Sequence, residues 1–171
     1  DDINKKKVDV AKEKLSKINP NSKINIFDKN IDSKNIDILL NSKIIVDAAD
    51  DWKTSKLLNE FCVKNSINFI FSSVVKHDAQ IIFFDNKSKN SHLCLNCIFP
   101  NKNDVDLPRC ETVGISGISA GLAGLITAQK IINFTLSLRK ETGLLTISDV
   151  KGLNIDNIVV NNNHNCYLKR I

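Results

Sequence analysis

An alternation of strand-like and helix-like segments most limits the folds open to this chain. Residues 43–50 (KIIVDAAD) form a nearly continuous apolar run, which predicts a strand buried on both faces. Apolar residues then recur at helical spacing over 52–66, with Leu58 and Phe61 on the inner side. Residues 68–75 predict a second strand. A strand, a helix and a strand in that order predict a parallel βαβ unit and an α/β fold.

The same periodicities predict further elements on both sides of this unit. In chain order they are a helix over 8–18, a strand over 23–27, a helix capped by Ser33, a strand over 79–84, a long helix over 115–138, and strands over 144–148 and 157–160. The polar residues 85–109 predict an irregular crossover loop. We therefore expect one domain over 1–171, with a Rossmann-like, mostly parallel sheet that continues into mixed or antiparallel strands.

Charge and composition argue against several classes of protein. The net charge of +5 comes from lysines scattered through the 171 residues, and the aromatic residues are not interleaved with them, which argues against nucleic-acid binding. The apolar stretch 113–134 contains Ser, Thr, Gln and Lys, so it predicts a buried helix rather than a membrane span. Five cysteines without a signal peptide predict the reducing cytoplasm. The chain starts at Asp1 rather than Met, which predicts that it begins inside a longer protein or after processing.

The spacing of the cysteines suggests a metal site and a nucleophile. Cys94 and Cys97 form a Cys-x-x-Cys pair, which supplies two of the four ligands of a tetrahedral Zn²⁺ knuckle. Cys110 precedes the long predicted helix and follows Arg109, and both neighbours favour the thiolate. Reduced thiols without a role remain the alternative for both groups. Cys62 lies on an apolar helix face and is expected in the core.

Three acidic residues follow the first strand of the predicted βαβ unit: Asp47, Asp50 and Asp51. Ligands of open parallel sheets bind beyond the carboxyl ends of the strands, so a carboxylate such as Asp50 could hold Mg²⁺ there. Asp50 or Asp51 could equally cap the following helix. Glycines recur at helical spacing on one face of the long helix, which predicts a core contact or a dimer interface rather than a phosphate loop: Gly114, Gly117, Gly121 and Gly124.

Five stretches of the sequence together carry a resemblance to a known family. In order they are KKKVDVAKEKLSKINP, IVDAADDWKTSKLLNEFC, HDAQIIFF, CLNCIFP and PRCETVGISGISAGLAGLITAQKIINF. They resemble segments of the ThiF/MoeB/HesA family, relatives of the ubiquitin-activating enzymes, through essentially all 171 residues. The resemblance implies a homodimeric enzyme that uses ATP and Mg²⁺ to adenylate the C-terminal Gly-Gly of a ubiquitin-like sulfur carrier, for thiamin or molybdopterin synthesis. It covers the C-terminal two-thirds of such an enzyme, without the Gly-rich nucleotide-binding segment, so we expect the fragment alone to be inactive.

The resemblance also implies roles for single residues. Asp50 matches the essential aspartate of the family, which would hold Mg²⁺ beside the nucleotide, and Asp51 stands where the family usually has Asn. Lys7 matches a lysine that contacts ATP phosphates, although without the resemblance it would be a solvated helix-start lysine. Ser55 stands where the family usually has Arg. Cys110 matches a thiol that, in some members, links covalently to the carrier.

The zinc site implied by the resemblance is incomplete in this chain. The Cys-x-x-Cys pair matches the first two thiols and Cys166 matches the third, but Lys169 stands where the fourth should be. Either His164 or His92 completes the site, or the zinc is lost. These departures support an alternative hypothesis, a non-catalytic carrier-binding subunit or a degenerate remnant of the enzyme. A redox or zinc-binding module is a weaker hypothesis.

Overall fold

The computed structural model describes residues 2–88, 93–100, 114–161, 166 and 168. These residues divide into two compact units, of which the first ends at Ile31 and the second begins at Asp32. The first unit contains helix α1, Lys7–Ile18, as the sequence predicted. Exposed ion pairs lie along it, with the Lys17 ammonium 2.6 Å from the Glu13 carboxylate.

The predictions for two elements near the boundary between the units are wrong. Residues 23–27 are not a strand, because no described segment supplies the ladder partner that a strand requires. The helix expected after Ser33 is a single 3₁₀ turn, Ile36–Leu39. Asp32 rather than Ser33 supports the start of this turn, because its carboxylate accepts hydrogen bonds from the Lys34 and Asn35 amides at 2.8 and 3.2 Å.

The second unit contains a five-stranded mixed sheet in which spatial order follows chain order. The strands are β1, Ile44–Asp47; β2, Asn68–Val75; β3, Asp78–Phe84; β4, Leu144–Asp149; and β5, Asn154–Val159. The β1 and β2 strands are parallel, whereas the three other neighbouring pairs are antiparallel. This architecture confirms the α/β prediction, including the continuation of the parallel part into antiparallel strands.

Helices cover both faces of the central strands. Helix α2, Trp52–Lys64, connects β1 to β2, and α3, Leu95–Ile98, is a short helix after β3. Helix α4, Gly117–Thr135, packs through Ala123 against Ile70 and Phe83 of β2 and β3. Side chains alternate between the faces of a strand, and the Trp52 ring at the start of α2 contacts Phe71, so α2 lies on the opposite face from α4.

The expected burial of β1 on both faces is wrong. Ile45 and Asp47 are buried, but Val46 between them is 42% exposed. Among the described strands β1 pairs only with β2, so it is an edge strand with one covered face. The apolar run that suggested burial on both faces is rich in β-branched residues. Such residues favour extended backbone whether one face of a strand or both faces are covered.

The glycine-rich face of α4 does not lie in the core. Apart from the neighbouring backbone of α4 itself, no atom of the described chain lies within 4 Å of the positions where side chains would begin on Gly117, Gly121 and Gly124. The buried face is the opposite one and includes Ser119, Ala123 and Thr127. Ile118 and Leu125 on the outer side are 74% and 71% exposed, so the expectation of a fully buried helix is also wrong. None of the described helices has the length and apolarity needed to cross a membrane.

A buried ion pair fixes the end of α4 to the segment before β4. The Lys130 ammonium donates to Glu141 Oε2 at 3.0 Å and to the Leu144 carbonyl at 3.2 Å, with the side chains only 5% and 3% exposed. Asn133 donates to the second Glu141 oxygen at 2.7 Å. Both carboxylate oxygens therefore have partners, which a charge in this environment requires.

Removal of one member of this pair should destabilise the second unit strongly. Lys130→Met leaves the Glu141 carboxylate buried without its cation, and breaking a buried pair costs about 3–5 kcal/mol of unfolding free energy. Urea unfolding followed by circular dichroism measures the loss. Lys130→Met combined with Glu141→Leu should recover most of it, and Lys17→Met on exposed α1 is the control without effect. A Lys130→Met stability close to that of the wild type would contradict this role.

Candidate functional site

The turn between β1 and α2 carries the predicted nucleotide-site carboxylates. Asp51 is the N-cap of α2, and its carboxylate accepts hydrogen bonds from the Lys53 and Thr54 amides at 3.3 and 3.0 Å. The Thr54 hydroxyl donates to the same carboxylate at 2.6 Å. Asp50 is exposed and takes no part in this cap, so the capping alternative applies to Asp51 and not to Asp50. The Asp50 carboxylate lies at the carboxyl end of β1, where a cation could reach it.

The buried Asp47 is a candidate that the sequence analysis recognised as acidic but gave no role. Its side chain is 1% exposed, and its Oδ1 accepts the Ala49 amide at 3.0 Å. Its Oδ2 has no hydrogen-bond partner among the described residues. Burial raises the pKa of Asp47, against the opposing effect of the nearby Ser55 hydroxyl and the Ala49 amide. The two-residue alternation of side chains along β1 could have predicted this burial, because Asp47 lies on the same buried face as Ile45.

Three of the predicted metal ligands lie together. Cys94 Sγ is 3.8 Å from Cys97 Sγ and 3.4 Å from Cys166 Sγ, and all three sulfur atoms lie within 4.8 Å of one another. We call these three residues the thiol cluster. Cys94 and Cys166 are buried, Cys97 is half-buried, and Val63 of α2 packs against the group. The cluster lies in the second unit, although Cys166 is 72 residues from Cys94.

The geometry of the thiol cluster fits a zinc ion. Thiolates at about 2.3 Å from a tetrahedral Zn²⁺ are separated from each other by roughly 3.8 Å, close to the separations found here. Without a cation, the neighbouring sulfur atoms and burial raise the pKa of Cys94 strongly, so its thiol is protonated. A bound metal would replace that proton, which couples metal binding to pH.

The remaining predicted site residues lie in the first unit or outside the described residues. Lys7 begins α1 in the first unit and is exposed. Cys110 and His164 lie outside the described residues, as do the alternative ligand His92 and Lys169. Cys62 is fully buried on α2, as expected of a core cysteine, and burial raises its pKa to about 12.

Comparison with known proteins decides the family. The model of the ThiF family matches residues 1–168. This chain belongs to the ThiF family. A sulfur carrier protein adenylyltransferase of Thermus thermophilus is 24% identical to this chain over an alignment of 171 positions, which covers 97% of this chain and 63% of the relative. The Adenylyltransferase and sulfurtransferase MOCS3 of Dictyostelium discoideum is 30% identical over an alignment of 140 positions, which covers 79% of this chain and 32% of the relative.

Solved structures agree with the fold. A crystal structure of E. coli MccB with AMPCPP and selenomethionine MccA has a TM-score of 0.80 at 17% identity. The match covers 98% of the ThiF-family chain and 52% of MccB. At that identity the likeness establishes the fold alone. The ThiF-family chain spans less than two thirds of the length of the relatives named above and about half of the MccB chain.

Asp47 should make stability depend on pH in a defined direction. Because its pKa is raised in the folded protein, stability falls as the pH rises from the ordinary value of 3.8 through the folded value. Asp47→Asn has the shape of the protonated acid and keeps the acceptor for Ala49. Its melting temperature near pH 7 should exceed that of the wild type by a few degrees, since 1 kcal/mol corresponds to about 2–4 °C at this size.

The advantage of Asp47→Asn should shrink below pH 3.8, where the wild-type carboxyl is protonated in both the folded and the unfolded states. Melting curves at a series of pH values measure it. Asp156→Asn, at an exposed position of β5, is the control and should not alter the profile. A constant difference between wild type and Asp47→Asn across the pH series would show that the charge of Asp47 is not the cause.

The thiol cluster should bind up to one zinc ion per chain, and Cys97→Ser should lower the content sharply because it removes one of three grouped thiolates. Elemental analysis of the purified chain measures the content. Cys62→Ala is the matched control, since that thiol lies outside the cluster and should not affect zinc. The same zinc content in wild type and Cys97→Ser, or none in either, would reject the site.

Proposed function

We propose that the intact protein is an ATP-dependent adenylyltransferase that activates the C-terminal Gly-Gly of a ubiquitin-like sulfur carrier, in thiamin or molybdopterin synthesis. Membership of the ThiF family and the adenylyltransferase names of its relatives support the class of reaction. The observation in this chain that supports the proposal concerns two adjacent carboxylates at the β1–α2 turn, of which only one is used to cap the helix. Asp51 caps α2, and so the exposed Asp50 carboxylate remains available to a cation.

The reaction would join the carboxylate of the carrier to the α-phosphorus of ATP and release pyrophosphate. Mg²⁺ bound at Asp50 would reduce the negative charge that opposes the approach of the carboxylate to the phosphate. In this proposal Lys7 contacts the phosphates as a point charge, and Asp51 supports the nucleotide edge by fixing the start of α2. The Cys110 thiolate would afterwards attack the activated carbonyl carbon of the carrier, forming a thioester as the bond to the phosphate breaks and AMP leaves.

We further propose that zinc bound by the thiol cluster, with His164 as a fourth ligand, is structural, because four protein ligands would leave no open position for a substrate. The intact protein would act in the cytoplasm as a homodimer. The exposed small and apolar residues along α4, including Gly121 and Leu125, are compatible with a contact between two copies.

A second candidate function is a carrier-binding subunit that does not use ATP. The observation that favours it is Ser55, which occupies the position of the family arginine. Ser55 is 2% exposed, and its hydroxyl donates to the Asp51 carbonyl at 3.3 Å. The side chain therefore supports the helix start and supplies no positive charge for a phosphate.

Carrier-dependent exchange of pyrophosphate into ATP, measured with the longest natural form of the protein, tests the proposal. Asp50→Ala should reduce exchange by at least about 100-fold, the equivalent of about 2.7 kcal/mol of cation-mediated stabilisation. Its melting temperature should change little, because the cap belongs to Asp51. Exchange at the wild-type rate in Asp50→Ala would contradict the proposed role of Asp50 in binding Mg²⁺.

Two controls sharpen this experiment. Asp51→Asn keeps an amide oxygen for the cap and should retain exchange. Cys110→Ser should also retain exchange, because adenylyl transfer needs no thiol, while any carrier thioester, recognised by its cleavage with excess thiol, disappears. Absence of ATP binding and exchange in the wild type, together with retained carrier binding, would favour the second candidate function.

A further inference from the structure

Helix α2 connects the two parts of the site that the sequence suggested separately. Its first residues, with the Asp51 cap and Trp52, lie at the carboxyl edge of β1. Two turns later, Asn59 and Val63 contact α3 and the thiol cluster. One rigid helix therefore has the proposed nucleotide edge at one end and the proposed metal site at the other.

The first contact is a buried hydrogen bond. Asn59 Oδ1 accepts the Leu95 amide at 2.9 Å, and both residues are fully buried. Leu95 follows Cys94 directly, so this bond fixes the backbone that carries the first thiol of the thiol cluster onto α2. Loss of the acceptor would leave the Leu95 amide without a partner in the interior, which costs about 1–3 kcal/mol.

The second contact is aromatic. Phe99, which follows α3 and lies two residues after Cys97, places its ring 5.7 Å from the Trp52 ring at an interplanar angle of 88°. Both rings also contact Phe71 of β2, each with a centroid separation of 6.1 Å. The three rings form a closed aromatic triangle. Edge-to-face pairs of this kind contribute about 0.5–1.5 kcal/mol beyond simple burial and prefer defined angles.

We propose that Phe99 and Asn59 are positioning residues that transmit the state of the thiol cluster to the Asp50–Asp51 turn. A metal held by Cys97 restricts Phe99, because a single residue, Ile98, separates them. Phe99 in turn holds Trp52, the residue that follows Asp51. Asn59 holds the other end of the Cys-x-x-Cys segment, next to Cys94, through its hydrogen bond with the Leu95 amide. Metal binding thereby fixes the start of α2. The consequence for nucleotide binding rests on the proposed function, whereas the link between metal and Trp52 does not.

The chain offers a direct probe, because Trp52 is its one tryptophan. The full 171-residue chain is titrated with Cd²⁺, whose thiolate complexes absorb in the ultraviolet, and Trp52 emission is recorded in the same samples. In the wild type both signals should change with the same midpoint. Phe99→Leu should bind Cd²⁺ within about threefold of the wild-type affinity but lose most of the Trp52 response, because the ring that reports the cluster is gone.

Matched variants separate this link from ordinary packing. Phe84→Leu removes a ring of equal size that stacks on Phe69 instead of Trp52, and it should keep the full response. Phe99→Tyr keeps the aromatic ring and should therefore show the full Trp52 response. Asn59→Leu should weaken Cd²⁺ binding about tenfold, within the range for residues that orient metal ligands. Circular dichroism confirms that each variant is folded.

Three outcomes would overturn the proposal: no Cd²⁺ absorbance in the wild type, wild-type absorbance without a Trp52 response, or a full response in Phe99→Leu. None of them depends on catalysis, so they are distinguishable from a failure of the adenylyltransferase proposal. In the intact protein, removal of metal should raise the KM for ATP in the wild type and have a smaller effect in Phe99→Leu. Equal effects of metal removal on both proteins would count against the role of Phe99.

Discussion

Parallel pairing of β1 with β2 is the constraint on which the rest of this structure depends. Parallel neighbours require a crossover between the end of one strand and the start of the next, and α2 is that crossover. The chain must therefore turn at the carboxyl end of β1, which is where Asp50 and Asp51 lie. It must also return along the sheet face that presents Phe69 and Phe71, which explains why α2 meets both the aromatic triangle and the segment after β3.

Local patterns predicted the elements that pack by periodicity. The βαβ unit, the β3 strand and the long helix α4 were all predicted within a few residues, because each has an apolar face long enough to show its period. The site residues at the β1–α2 turn followed from the topological rule for ligands of parallel sheets. The thiol cluster required the resemblance, since the spacing from Cys97 to Cys166 contains no local pattern.

The failures have a common physical origin in partners that sequence does not reveal. Residues 23–27 have strand-like composition but no ladder neighbour in the described chain, and β1 has strand composition but only one covered face. The glycines of α4 share a face, as expected, but the sheet lies against the opposite one. Asp47 was noted as acidic, while its burial depends on the inward face of an edge strand. In each case the sequence showed the residue pattern of the element but not which segment packs against it.

The separation between Cys94 and Cys166 has a consequence for biosynthesis. The third thiol follows the first by 72 residues, so it leaves the ribosome later by about 4–14 s at 5–20 residues per second. During that interval the Cys-x-x-Cys pair can offer only two sulfur ligands. A metal captured then would be held weakly and could exchange. Tight retention of a metal by all three thiols would become available only after β4 and β5 have been made, so tight retention, not first capture, would mark a chain translated through to Cys166.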